Sequence, residues 1–358
     1  MKSLFLTLIL AALPLAAAHN PAPQEFDNLP THDCVTAPAV PAGAQPKNII
    51  FMIGDGMGLE QISVGWLANR GKLNIEQLPV CGFSRTPSFS HGITDSAAGG
   101  TALACGQKTI NGHLGQDAQG RHLTSVLRTA QGLGKSTGLV VTKDITDATP
   151  AAFYAHTDDR QKAKEIAEQL KTAGITFVRG GGHKHFNHEQ MEAMRAKGTD
   201  IKLSAHGHME TAAMRGDVLP TDVAHALAAL EKNENGLFLM IEGSQIDTAG
   251  HANELRNVAC EMLDFDKAIG VVLTWMQMHP DTLLVITADH QTGGLSILDA
   301  DQTRGYVRGC FTTGSHNGVM VPVFAIGAGA DAFRGVHENT EIAELIRRAM
   351  EKKLEVEG

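Results

Sequence analysis

The sequence lacks several patterns that identify a site by themselves. It has no C-x-x-C pair, which argues against a zinc site built from paired thiolates, and no G-x-S-x-G segment, which leaves a Ser-His-Asp hydrolase with little support. No internal repeat or low-complexity block is present. Only 19% of the 358 residues are charged and the net charge is -9, which argues against nucleic acid as a partner because such binding needs clustered Lys and Arg.

Cysteine is scarce and odd in number, with five residues in the chain. In an oxidising compartment this set allows at most two intrachain disulfides and leaves one thiol over. The pairing does not follow from the sequence. The residues are Cys34, Cys81, Cys105, Cys260 and Cys310.

Long apolar runs are absent except at the N-terminus. Lys2 precedes an apolar run over residues 4–15, and the small residues 16–18 follow, an order typical of a secretory signal peptide. The run is shorter than the roughly 20 residues that span a bilayer, and it contains Pro14. We therefore predict a signal peptide over residues 1–18, and a mature protein without a membrane segment that is periplasmic or secreted.

The rest of the sequence divides into a tail and one domain. Residues 19–46 are rich in Pro and Ala without periodicity, which predicts a tail that wraps around the protein or stays mobile, with order beginning at Lys47. Residues 47–358 are interpreted as a single domain. Its irregular part, around residues 180–220, is rich in Gly, His and Met and is expected to be an excursion from the sheet.

Buried strands and helices alternate along this domain. The pattern indicates βαβ units and a central, mainly parallel sheet with helices on both faces, which is a three-layer α/β/α fold. The predicted strands are 48–53, 137–141, 237–241, 282–287 and 319–326. The predicted helices are 96–105, 123–132, 158–172, 222–233, 252–278 and 338–353.

Acidic residues and histidines follow the ends of several predicted strands. In a parallel sheet the carboxyl ends of the strands line the ligand-binding edge, so these side chains are expected to converge there. One such residue alone is more often a helix cap than a metal ligand, but their recurrence at one edge favours a metal site. Asp, Glu and His without Cys suit Zn²⁺ ions with open positions and an oxygen-only site for Mg²⁺. The residues are Asp55, Glu242, Asp247, His251, Asp289, His290 and His316.

A candidate nucleophile lies in the segment over residues 94–102. Asp95 or Thr94 can cap a helix that opens around Ser96, where free N–H groups and the positive end of the helix favour an alkoxide and an incoming phosphate. From this segment alone, Ser96 is also compatible with a role as the helix N-cap.

Six motifs together resemble those of the alkaline phosphatases in order and spacing. They cover residues 48–58, 94–98, 147–151, 242–251, 287–290 and 314–316. The resemblance extends over nearly the whole chain from Lys47. It implies the fold predicted above, and a catalytic domain that hydrolyses phosphate monoesters to an alcohol and inorganic phosphate through a covalent phosphoserine at Ser96.

The resemblance also implies two Zn²⁺ and one Mg²⁺. Asp247, His251 and His316 resemble the ligands of the first zinc. Asp55, Asp289 and His290 resemble those of the second. Asp55, Thr149 and Glu242 resemble the magnesium site, with Asp147 supporting magnesium through water, and Arg160 resembles the residue that clamps phosphate. The implied partners are small-molecule phosphomonoesters, and a homodimer is compatible with the resemblance.

Some features depart from the family pattern. Thr248 stands where relatives often carry a longer cationic or aromatic side chain, and the stretches before Glu242 and before His316 are shorter than those that build a crown over the site in many relatives. The histidines in residues 183–188 could form a fourth metal site, although we favour an exposed loop. A phosphodiesterase of the same metal-hydrolase superfamily is the alternative function, and a phosphate- or metal-binding protein is the non-enzymatic one.

Overall fold

The computed structural model describes residues 22–41 and 45–351. The predicted signal peptide, residues 1–18, lies outside the described residues. Within the two described ranges, no helix is long and apolar enough to cross a membrane. The division into a tail and a single domain stays a prediction.

Strands and helices alternate along most of the chain, as the sequence predicts. The described strands are β1 (Gln24–Phe26), β2 (Asn48–Gly54), β3 (Val80–Arg85), β4 (Ser136–Asp144), β5 (Phe177–Gly181), β6 (Asp200–Leu203), β7 (Leu237–Gly243), β8 (Thr282–Thr287), β9 (Gln291–Thr292), β10 (Leu295–Asp301), β11 (Tyr306–Phe311), β12 (His316–Asn317), β13 (Val321–Gly327) and β14 (Gly335–Glu338). The described α-helices are α1 (Leu59–Ala68), α2 (Ser96–Cys105), α3 (Val126–Gly132), α4 (Ala148–Ala151), α5 (Ala163–Leu170), α6 (His188–Ala196), α7 (Ala212–Arg215), α8 (Val218–Leu230), α9 (Gln245–His251), α10 (Leu255–Met276) and α11 (Asn339–Met350).

A nine-stranded sheet forms the centre, in the order β14-β3-β13-β8-β2-β7-β4-β5-β6. The strands from β8 to β6 are parallel to one another. β13 runs antiparallel to both of its neighbours, β3 and β8. Because β13 is reversed, the chain that leads into it lies at the same edge as the carboxyl end of β8. This reversal explains how His316, which precedes β13, reaches that edge.

Helices cover both faces of the sheet. Ile49, Phe51 and Ile53 of β2 pack in a core with α2, α3 and α11, whereas Ile50 and Met52 pack on the opposite face with α1, α8 and α10. All of these β2 side chains are fully buried. The apolar runs are continuous because both faces of a central parallel strand are covered. The three-layer α/β/α prediction is confirmed.

The start of the described chain differs from the prediction. β1 pairs antiparallel with β11, and Phe26 and Leu29 are buried in the core that contains α10. The expectation that order begins at Lys47 is therefore wrong. Two isolated apolar residues among prolines have no periodicity, so no sequence pattern predicted this strand.

Three other predictions need correction. The stretch 180–220 is not an irregular excursion throughout, since it contains α6 and contributes β6, which pairs with β5 at the edge of the main sheet. The helix predicted over 252–278 is α10, but it begins three residues later, at Leu255, because Asn253 before it has a left-handed backbone with φ 55°. The helix predicted over 158–172 begins only at Ala163, which leaves Arg160 in the preceding loop.

All five cysteines lie in the described residues, and all are free thiols. The two disulfides that the sequence allowed are therefore not formed in this structure.

Candidate active site

Four neighbouring parallel strands, in the order β8-β2-β7-β4, carry the predicted site residues at their carboxyl ends. Asp55 follows β2, Glu242 is the next-to-last residue of β7, and Asp289 follows β8. Gly56, which has φ 74°, has no room for a side chain, since a Cβ there would lie 2.9 Å from the Cα of Asp247. A glycine directly after Asp55 thus lets the neighbouring elements approach closely.

The first cluster consists of Asp247, His251 and His316. Asp247 Oδ1 lies 3.2 Å from His251 Nε2 and 3.5 Å from His316 Nε2. The two Nε2 atoms are 3.0 Å apart. These three residues, distant in the chain, bring three ligand atoms within 4.8 Å of one another, as a metal site requires.

The hydrogen bonds of the two rings fix how their nitrogens are used. His251 Nδ1 donates to Gly314 O at 2.8 Å, and His316 Nδ1 donates to Thr94 O at 2.9 Å. In neutral rings this leaves each Nε2 without a hydrogen, so the lone pairs of the two Nε2 atoms face each other. Only a proton or a cation between them relieves the repulsion. The backbone carbonyls thus orient the imidazoles in the way that metal-binding histidines are held.

The second cluster consists of Asp55, Asp289 and His290, all buried. His290 Nε2 lies 3.1 Å from Asp289 Oδ2 and 3.6 Å from Asp55 Oδ1. Asp55 Oδ1 and Asp289 Oδ2 have no hydrogen-bond partner. Buried carboxylate oxygens without a donor are costly, so this cluster also fits a cation.

Ser96 lies beside the second cluster. Its hydroxyl is 3.2 Å from His290 Nε2 and is buried. Ser96 is the first residue of α2, and the N-cap is Asp95, whose side chain accepts a hydrogen bond from Ala98 N at 2.9 Å. The interpretation of Ser96 as the cap is therefore wrong, and the hydroxyl is available for chemistry at the positive end of the helix.

A third group of oxygens adds Thr149 and Glu242 to Asp55, and, besides burial, the charge of Glu242 helps to raise the pKa of the Asp55 carboxyl. Thr149 Oγ1 and Glu242 Oε2 are buried without a hydrogen-bond partner. Burial and the nearby charge of Asp147 raise the pKa of Glu242 to about 8. Burial and the charges of Asp247 and Asp289 raise the pKa of Asp55 well above its usual range. Such oxygens, with no nitrogen or sulfur among them, suit a hard cation such as Mg²⁺.

Arg160 lies between the carboxylates of two aspartates. Its guanidinium contacts Asp95 Oδ2 and Asp147 Oδ1, each at 3.2 Å, and is only partly buried. Asp95 also accepts a hydrogen bond from Gly112 N at 3.0 Å. The two carboxylates hold the guanidinium in place from both sides, and it lies next to the segment that begins with Ser96.

Two residues of the site were missed by the sequence analysis. Thr292 Oγ1 donates to Asp247 Oδ1 at 2.7 Å and accepts from His290 Nδ1 at 3.2 Å, so it links the first and second clusters. Lys143 Nζ lies 3.1 Å from Asp247 Oδ2 and 3.7 Å from Asp55 Oδ2. The sequence patterns that could have indicated them are a hydroxyl residue two positions after His290 and a lysine two positions after the predicted strand 137–141.

The histidines of residues 183–188 do not form a further metal site. His185 Nε2 and Lys184 Nζ both contact Asp144 Oδ2, at 3.5 Å and 2.9 Å. Among the described residues, three groups place three ligand atoms within 4.8 Å, and none contains these histidines. The group outside the site, His32, Cys34 and Asp266, is a structural anchor, because Asp266 already accepts hydrogen bonds from Asn74 N and Ile75 N.

Known proteins match most of this chain in sequence and in structure. The family model described as alkaline phosphatase matches residues 46–210 and 197–308. Alkaline phosphatase 4 of Bacillus subtilis is 30% identical, and the alignment covers 85% of this chain and 88% of the relative. The solved alkaline phosphatase from the Antarctic bacterium TAB5 is 34% identical with a TM-score of 0.80, over 86% of this chain and 98% of that one.

A mutant of the Antarctic enzyme, in which a histidine is replaced by aspartate, is described with magnesium bound in its M3 site. It superimposes with a TM-score of 0.81 at 34% identity, over 86% of this chain and 99% of that one. The matched family model spans well over half of the sequence. This chain belongs to the alkaline phosphatase family.

Proposed function

We propose that the chain hydrolyses phosphate monoesters through a covalent phosphoserine at Ser96, with two Zn²⁺ and one Mg²⁺ bound. The observation that carries the proposal is the position of the Ser96 hydroxyl, 3.2 Å from His290 in a cluster whose carboxylate oxygens lack donors. The family shares phosphatase-type hydrolysis, and the monoester specificity and the phosphoserine are our inference. A periplasmic or secreted location and a homodimer belong to the same proposal.

The donor sets decide which ion each site would take. The first cluster, with two nitrogens and a carboxylate, and the second, with one nitrogen and two carboxylates, fit zinc. The third group offers oxygens of Asp55, Thr149 and Glu242 and fits magnesium. When bound, the two zinc ions would neutralise charge that develops on the attacking and leaving oxygens of an in-line displacement.

The residues of the chain would do the rest of the chemistry. Ser96 Oγ forms a bond to phosphorus while the alcohol leaves, and water later displaces the serine oxygen to give inorganic phosphate. Arg160 donates hydrogen bonds to the non-bridging oxygens of the phosphoryl group in both steps. Asp95 supports both residues, because it caps the helix that carries Ser96 and holds the guanidinium of Arg160.

A comparison of two substrates tests the proposal. We expect rapid hydrolysis of an aryl phosphomonoester. At the same enzyme concentration, turnover of a bis-aryl phosphodiester should be slower by at least about a hundredfold, because a diester has one fewer non-bridging oxygen for Arg160 and the metals to hold. Faster turnover of the diester would favour the phosphodiesterase alternative. Tight phosphate binding without turnover of either substrate would favour a binding protein.

Thr292→Val is expected to weaken zinc binding by about tenfold to a hundredfold. The hydroxyl orients a ligand in each cluster, through Asp247 and His290, and partners of metal ligands typically contribute that much to affinity. The measurement is zinc retained against a graded chelator. Thr101→Val is the matched control, since its buried hydroxyl also donates and accepts one hydrogen bond but lies outside both clusters. Equal zinc retention in the two variants would contradict the role of Thr292.

Asp147→His is expected to weaken magnesium activation and to let zinc into the third site. Histidine offers a nitrogen, which zinc binds better than magnesium does, whereas the present carboxylate can accept hydrogen bonds from water on magnesium. The Antarctic relative with aspartate in place of histidine and magnesium in its M3 site supports this choice. The measurement is metal stoichiometry after dialysis against mixed zinc and magnesium, with activity on added magnesium. A wild type that binds three zincs, or a variant with unchanged magnesium response, would refute it.

The metal-free protein is expected to lose stability as the pH rises from about 5 to about 8. In the folded protein Glu242 has a pKa of about 8, against 4.5 ordinarily, so between these values the folded state holds a proton that the unfolded state has lost. Stability that is present below the unfolded pKa is then lost as the pH rises. The raised pKa values of Asp55, His251 and His316 act in the same direction.

Thermal unfolding of chelator-treated protein at pH 6 and pH 8 measures this effect. We expect the midpoint to fall by at least about 4 °C at the higher pH. The metal-loaded protein should show no such fall, because bound cations keep the carboxylates ionised at both values. A metal-free midpoint that is equal or higher at pH 8 would disprove the argument.

A further inference from the structure

Lys143 is a buried cation among the carboxylates of the site. Its side chain is 9% exposed, and its Nζ lies 3.1 Å from Asp247, 3.7 Å from Asp55 and 3.9 Å from Asp147. Two of these carboxylates, Asp55 and Asp147, are the ones assigned above to the magnesium site or its support. The ammonium is therefore placed where it shares its partners with the third metal.

The strand that carries Lys143 has an irregular end, and the Lys143 side chain reaches the carboxylates of the site. The pairing of β4 with β5 is regular up to Val140 and shifts register before Asp144, so the last residues of β4 leave the regular ladder. Asp144 N donates instead to His208 Nδ1 at 3.0 Å. Irregularities of this kind re-aim side chains at the ends of strands. Lys143 and Asp144 thus point to different partners, the carboxylates of the site and Lys184.

We propose that Lys143 lowers the magnesium affinity of the third site, the one that Asp55, Thr149 and Glu242 would form. Its ammonium lies 3.7 Å from Asp55 and 3.9 Å from Asp147, and it repels a second cation bound beside these carboxylates. This inference rests on the proposed magnesium site and deepens it. When the third site is empty, the ammonium neutralises buried carboxylates that would otherwise repel one another. When magnesium binds, the same charge lies a few ångströms from a divalent ion and weakens its binding.

The consequence is that the site fills only at a higher magnesium concentration than its oxygens alone would need. Replacing the lysine with a neutral residue should therefore raise the magnesium affinity for two reasons. It removes the repulsion in the loaded state, and it leaves the carboxylates uncompensated in the empty state. Lys143 is a positioning residue in this account, since it acts through Asp55 and Asp147.

The experiment is equilibrium dialysis of zinc-saturated protein against graded magnesium, with bound metal counted by elemental mass spectrometry. Lys143→Met is expected to bind magnesium at least about tenfold more tightly than the wild type. Lys143→Arg, which keeps the charge, should stay within about threefold of the wild type. Lys162→Met is the control for an exposed lysine that pairs with Asp158, and it should change nothing.

Thermal unfolding gives a second readout that does not depend on activity. Magnesium should raise the unfolding midpoint of Lys143→Met more than that of the wild type, and Lys143→Gln serves the same purpose if the Met variant does not fold. Neutral variants with unchanged or weaker magnesium affinity would overturn the role of Lys143 while leaving the site itself intact. If the wild type binds no magnesium at any concentration, the proposed third site is wrong, which is a separate result.

Discussion

Ser96→Ala is expected to lower phosphomonoester turnover by at least about a thousandfold while zinc content stays nearly unchanged. The variant removes the only atom of Ser96 that can bond to phosphorus. All six side chains of the two metal clusters remain, and none of them is held by Ser96 apart from the contact with His290. Activity and zinc content should therefore separate in this variant.

The measurement is turnover of an aryl phosphomonoester at saturating substrate, with zinc counted in the same preparation. Ser136→Ala is a matched control, because Ser136 is also a buried serine whose hydroxyl donates a hydrogen bond. It lies at the amino end of β4, whereas the site lies at the carboxyl end of that strand. It should keep wild-type activity. A Ser96→Ala protein with wild-type turnover would show that the serine is not the nucleophile, and one that has lost its zinc would contradict the expected separation of activity from zinc content.

Removal of metal is the second change with a large expected effect. A chelator should reduce turnover by at least about a hundredfold, because every proposed step needs charge on the phosphoryl oxygens to be neutralised. Zinc alone should restore most of the activity, and zinc with magnesium should restore all of it. The measurement is turnover after dialysis and after each addition. Full activity in protein that mass spectrometry finds free of metal would exclude the mechanism.

Much of the site could be predicted from the sequence because strand ends are easy to locate. The runs before Asp55, Glu242 and Asp289 are continuously apolar, and parallel strands bring their carboxyl ends to one edge. The motif order then assigned His251 and His316, and the structure places each within 3.5 Å of Asp247. Local patterns and the motif order were sufficient here because each ligand lies at or near the end of a strand or helix.

The parts that were missed depend on contacts between distant segments. Lys143 lies two residues after the apolar run of its strand ends, and its partners come from three other elements. Thr292 is an ordinary hydroxyl until its neighbours, Asp247 and His290, are placed around it. Neither a lysine nor a threonine has a pattern that reveals such partners. Tertiary packing alone decides their role.

The boundaries of helices show the same limit. Asn253 lies inside the helix predicted over residues 252–278, but its left-handed backbone excludes it from α10, which begins at Leu255. It also separates the short helix that carries Asp247 and His251 from the long helix behind it. The strand at Gln24–Phe26 exists only because β11 offers it an edge to pair with.

The measurement that most directly tests the account is identification of the residue that carries the phosphoryl group during turnover. Protein mixed with a phosphomonoester is quenched in acid, digested, and analysed by mass spectrometry of the peptide that contains Ser96. The account predicts a phosphoryl group on Ser96 in the wild type and none in Ser96→Ala. Turnover with Ser96 unmodified, or a phosphoryl group on another residue, would contradict it.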